Sequence, residues 1–165
     1  MKKILFLWLL SMSTMLFAST TLDQIKAIQT QPKPAVTATS TQSMNNSTGQ
    51  NELLAMSKNY GLVIFFQSTC PHCHKFLPIL RQFADTYHFN ILAISTDGGG
   101  NPYFPDAVPN QGEVQIYGVK QIPSLFLYDT KHHRSYAVGI GEMTFDQLGS
   151  RLIQLDHNIK QGVTS

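Results

Sequence analysis

The chain has 165 residues, room for one ordinary domain with extensions. Its 12 Lys and Arg exceed its 10 Asp and Glu by the two lysines of the extreme N-terminus, Lys2 and Lys3. The remainder is near neutral and carries no basic stripe, so nucleic-acid binding has no support.

Residues 1–18, MKKILFLWLLSMSTMLFA, set two lysines ahead of an apolar run that thins through Ser11, Ser13 and Thr14 and closes on Ala18. This is the layout of a cleavable signal peptide, and it is short for a bilayer span. An uncleaved anchor is the alternative. No cysteine follows the expected cut, which excludes a lipoprotein. Residues 19–51 are rich in Thr, Ser, Gln, Asn and Pro and predict a flexible polar linker, with at most a helical turn near LDQIKAI.

A folded domain is expected over 52–158, with a tail at 159–165. NELLAMSKNY (51–60) reads as a short helix with Leu53, Leu54 and Met56 as its apolar contacts. LVIFF (62–66) is a continuous apolar run and predicts a strand buried on both faces. Pro71 suits the first turn of a helix, after which Phe76, Leu77, Ile79, Leu80, Phe83 and Tyr87 recur at helical spacing. NILAIS (90–95) is a second strand, giving a parallel strand–helix–strand unit. Residues 96–110 are rich in Gly and Pro and predict a long loop. EVQIYGV is a brief helix ending at Gly118. SLFLYD (124–129) and SYAVGIG (135–141) form a hairpin across TKHHR. A last helix is capped by Thr144 and turns Phe145, Leu148, Leu152 and Leu155 inward.

CPHCH (70–74) holds both cysteines of the chain and two of its six histidines. A covalently attached haem would use His74 as axial ligand, but a fully apolar strand feeding straight into the motif is the wrong setting. A structural zinc needs about four ligands; Cys70, Cys73 and His74 supply three, leaving His132 or His133 for the fourth. Copper is the better metal variant, since thiolate and imidazole suit it. A disulfide across so small a loop would constrain little of the unfolded chain. The dithiol reading explains more residues together. Cys70 would stand at a helix N-terminus, where N–H groups and dipole stabilise a thiolate, with Cys73 one turn further in. His72 adds charge or a donor beside Cys70; its plainer reading is an exposed first-turn residue without effect.

Strand, CPHC, helix with Pro78, strand, then GVKQIPSLFLYD: this order resembles the thioredoxin fold from about Glu52 to Leu155. The fold class expected is therefore α/β, a central mixed sheet flanked by helices, preceded by signal peptide and spacer. YGLVIFFQSTCPHCHKFLPILRQFADTY, ISTDGGGNP and QIYGVKQIPSLFLYD are similar, more narrowly, to the exported thiol-disulfide isomerases of conjugative transfer systems, the TrbB/TraF-like group. The resemblance implies Cys70 and Cys73 as the redox pair, tuned by Pro71 and His72. It also implies a cis Pro123 packed against the disulfide and Ile122 offering backbone hydrogen bonds to an extended substrate. Where thioredoxin carries a buried acid six residues before the first cysteine, this chain has Ile64, so no carboxylate there assists Cys73. No metal and no cofactor beyond the thiols is implied. The expected partners are cysteine-containing exported proteins and a membrane or periplasmic redox protein, met in the periplasm by a monomer. CPHC is equally the motif of DsbA-like oxidases, so the direction of electron flow stays open, and a copper-handling or non-catalytic scaffold role is the further alternative. An apolar surface should flank the motif, with Tyr103, Phe104 and Ile122 as candidates and ordinary loop packing as the plainer reading of Tyr103 and Phe104.

Overall fold

The computed structural model describes residues 39–163, with side chains from Ser47 onward. The expected signal peptide and residues 19–38 of the expected linker lie outside the described residues.

The first helix, α1 (Thr39–Met56), begins well before Asn51, so residues 39–51, expected in the polar linker, are helical. Extending a helix adds a hydrogen bond for each residue fixed, whereas starting one costs several fixed residues for a single bond. The turns anchored by buried Leu53 and Met56 supply the start. Strand β1 (Tyr60–Phe66) follows and leads into α2 (Pro71–Tyr87). β2 (Ile91–Ser95) returns parallel to β1, pairing Leu62 with Ile91 and Phe66 with Ser95. The loop from Thr96 is less irregular than its Gly and Pro content predicts. It contains a two-residue strand, β3 (Val108–Pro109), parallel to β2, and a bridge between Asn101 and Phe104.

A single short helix, α3 (Glu113–Ile116), precedes the hairpin of β4 (Ser124–Asp129) and β5 (Arg134–Ile140). β4 runs antiparallel to β1, pairing Phe65 with Ser124 and Tyr60 with Asp129, and the sheet order is β3-β2-β1-β4-β5. The chain closes with α4 (Phe145–Lys160), where Thr144 and Gln147 form a reciprocal capping box. This mixed five-stranded sheet with its crossover helix and terminal hairpin–helix is the thioredoxin-like α/β fold.

β1 divides its side chains between two faces, as a central strand must. Leu62, Ile64 and Phe66 join Phe76, Leu77, Leu80 and Phe83 of α2 and Leu148 and Leu152 of α4 in the larger core. Val63 and Phe65 join Ile94 on the other face, under Val114, Tyr117 and Val119. There the Phe65 ring lies 5.1 Å from Tyr117 and 5.7 Å from Phe126. Among the described residues, no helix is long and apolar enough to cross a membrane.

Candidate active site

Backbone geometry delivers the two cysteines into different surroundings. A tight turn, closed by Cys70 N–H to Gln67 O at 3.2 Å, follows the end of β1. Cys70 is extended (φ −77°, ψ 119°) and forms the N-cap of α2, with Pro71 in the first turn. Its Sγ stands where a capping oxygen would, accepting the Cys73 N–H at 3.4 Å. Pro71 has no N–H to leave unsatisfied at the helix start. Cys70 is half-buried and Cys73 is 1% exposed. Burial pushes the Cys73 thiol up to about 12, with Cys70 and the charge of Asp97 adding to it against a backbone hydrogen bond from Gln67. Cys73 therefore waits as a thiol behind an accessible Cys70.

The Ile122–Pro123 bond is cis. Ser124 pairs with Phe65, which sets Pro123 at the end of the sheet where β1 hands over to the Cys70 turn. Pro123 is buried and its carbonyl accepts the Gly141 N–H at 2.8 Å; Ile122 is half-buried and touches both cores. Of the two loop aromatics, Phe104 is buried in the larger core, with Arg81 5.7 Å from its ring centre. It does not line an open surface. Tyr103 is 44% exposed.

His72 is exposed, and its Nδ1–H donates to Glu142 Oε1 at 2.9 Å. Lys75 Nζ reaches the same oxygen at 3.4 Å. The bond from His72, then the charge of Lys75, hold the Glu142 carboxyl below its usual range. His74 turns the other way and donates Nε2–H to Ser68 O at 2.8 Å.

A second carboxylate fastens the turn itself. Asp97 accepts from Ser68 Oγ at 2.7 Å, Ser68 N–H at 3.1 Å, Ser95 Oγ at 2.9 Å and Gly99 N–H at 3.2 Å. The Ser68 hydroxyl above all holds its carboxyl far below the usual range. Gly99 lies so close that a Cβ there would stand 2.3 Å from Ser68 Oγ. Sequence reasoning singled out neither Glu142 nor Asp97. The only signal available was the Asp-Gly-Gly-Gly run, whose glycines admit such close approach. Ile64, in place of an acid, is completely buried.

The ligand set of the metal reading does not assemble. His132 and His133 follow Asp129, the end of β4 opposite Ser124, where His132 donates to Asp129 and His133 bonds Tyr128. Among the described residues, no group of three or more His, Cys, Asp or Glu is placed to hold a metal ion.

Comparison with known proteins places these elements. The family model described as TraF, F plasmid transfer operon protein, matches residues 11–153. Protein TraF of Escherichia coli (strain K12) is 27% identical over 126 residues, which cover 70% of this chain and 51% of that protein. Protein TrbB of the same strain is 37% identical over 65 residues, covering 39% of this chain and 36% of that one. The chain thus spans about half the length, or less, of these curated relatives. Thioredoxin from Aeropyrum pernix overlays with a TM-score of 0.46 at 19% identity, covering 64% of this chain and 82% of that one. The family match runs through the dithiol, the cis-proline and most of the closing helix, and the protein belongs to the TraF family of F plasmid transfer operon proteins.

Proposed function

We propose that the protein is an exported thiol–disulfide oxidoreductase, working as an isomerase on disulfides of secreted or envelope proteins of a conjugative type IV secretion apparatus. The observation that carries this reading is the Cys70 sulfur at the N-cap of α2, bonded by the Cys73 N–H, with Cys73 buried behind it. Such a sulfur belongs to a half-buried residue and sits at the positive end of a helix, a setting suited to thiol–disulfide exchange.

In the reduced protein the Cys70 thiolate attacks one sulfur of a substrate disulfide. The Cys70–substrate disulfide forms and the other substrate sulfur leaves as a thiolate. If a substrate thiolate then attacks the mixed disulfide at the substrate's own sulfur, Cys70 is released unchanged and the substrate has been rearranged. If Cys73 loses its proton and attacks Cys70, two electrons pass to the substrate and the protein is left oxidised. The burial of Cys73 supports the first route, because it raises the thiol and disfavours the thiolate that would resolve the mixed disulfide. Ile122 and Pro123 offer the edge along which an extended substrate lies. The signal-peptide layout of residues 1–18 supports export to the periplasm. A redox protein there or in the membrane would reset the dithiol, and no cofactor beyond the thiols is needed. A DsbA-like oxidase is the second reading, favoured by His72 within the CPHC motif.

A Cys73→Ala variant tests this. It is expected to accumulate Cys70-linked partners that appear on a non-reducing gel and vanish with reductant. If nothing is trapped, and Cys70→Ala/Cys73→Ala still supports transfer, the protein is a scaffold and not an enzyme.

A further inference from the structure

If Cys70 exchanges disulfides, the direction of electron flow turns on its thiolate, because a stabilised thiolate favours the reduced dithiol. A protonated histidine beside the sulfur is one group that provides such stabilisation. His72 lies between the two cysteines in sequence, and its Nδ1–H is taken by Glu142. Lys75, the other cation of this turn, shares the same carboxylate oxygen.

The backbone holds Glu142 in place from both sides. Gly141 adopts φ 86°, a conformation other residues rarely enter, and its N–H is bonded to Pro123 O. Met143 is 5% exposed and belongs to the larger core. Between these anchors the carboxylate is delivered to the first turn of α2 from a position 70 residues away in sequence. The nearby titratable groups do not compete for His72. His74 is bonded to Ser68 O, and Asp97 is bonded to Ser68, Ser95 and Gly99.

We propose that Glu142 is a positioning residue of the exchange site: it captures the Nδ1–H of the His72 ring, and so keeps the dithiol less oxidising than a CPHC site whose histidine is free to donate to Cys70. The proposal rests on the exchange reading above. It supplies a reason for a CPHC protein to rearrange disulfides instead of donating them.

Glu142→Gln keeps the size and an acceptor oxygen while removing the charge. The full chain is equilibrated with glutathione, so that the Cys70–Cys73 disulfide and two glutathiones give the dithiol and one glutathione disulfide. The variant is expected to move this equilibrium toward the dithiol by roughly threefold to tenfold, at most about 30 mV for a two-electron couple. Alkylation of Cys70 at about pH 6 is expected to quicken in parallel. In a His72→Ala background the same substitution should move the equilibrium by about twofold or less, because Glu142 acts through the ring. An unchanged or lowered potential in Glu142→Gln overturns the proposal. So does a full-sized shift in the His72→Ala background, which would assign the effect to Lys75. If the chain forms no Cys70–Cys73 disulfide with glutathione, the exchange reading fails and the proposal fails with it; if the disulfide forms and Glu142→Gln is silent, only the proposal fails.

Discussion

Cys70 and Cys73 are three residues apart, and one helical turn gives them opposite environments. Both were legible in the sequence, as was Pro71 at the helix start, because the CPHC spacing and a first-turn proline act through local geometry; the cis Pro123 was implied only by the resemblance. Asp97 and Glu142 were not. They reach the site through hydrogen bonds spanning 29 and 70 residues, and no local pattern announces such a contact. Phe104 was a surface candidate for its place in a Gly- and Pro-rich loop, but an aromatic ring gains more from a core with room for it. Gly99 gives the most direct check on the Asp97 fastening. A Cβ there would meet Ser68 Oγ at 2.3 Å and Ser68 Cβ at 2.5 Å, so the loop or the Cys70 turn must move. Gly99→Ala is expected to cost about 1–3 kcal/mol in urea unfolding and to slow Cys70 alkylation. Wild-type values for both would show that the loop and the turn are not coupled.

Among the elements, β1, β2, β4, β5 and the helices α2 and α4 followed from apolar patterning, whereas β3 lies inside the expected loop. Thr144 caps α4 as its position suggested. The start of α1 was not legible, since polar residues 39–51 carry no helical pattern and are helical only as an extension of the turns that bury Leu53 and Met56. The β4–β5 turn makes a prediction about pH. Burial alone would push the Asp129 carboxyl up, but bonds from the His132 ring and from the His132 and Lys131 N–H groups bring it below its usual range. A depressed folded-state pKa contributes stability above the unfolded value of about 3.9, and this is lost as pH falls through the folded value. Asp129→Asn is therefore expected to be less stable than wild type at neutral pH, with the gap closing below about pH 4. A gap that stays constant to low pH would show that the charge of Asp129 plays no part.

At the scale of the molecule, the candidate site lies at one end of the sheet. β1, β4 and the turns that follow β1 and β5 bring Cys70, Cys73, Pro123, His72 and Glu142 together, while His132, His133 and Asp129 sit at the other end of β4. This separation keeps His132 and His133 away from Cys70 and Cys73, so the four-ligand set of the metal reading does not assemble among the described residues. Topology fixed it, and topology was readable once strand, CPHC, helix and Ile-Pro were placed in order. In the proposed chemistry an accessible Cys70 attacks while Cys73 is held back as a thiol. Mass-spectrometric mapping of the reduced chain after limited alkylation, at several pH values from about 6 to 9, measures this directly. Label is expected on Cys70 throughout this range and essentially none on Cys73. Equal labelling of the two, or Cys73 first, would contradict it.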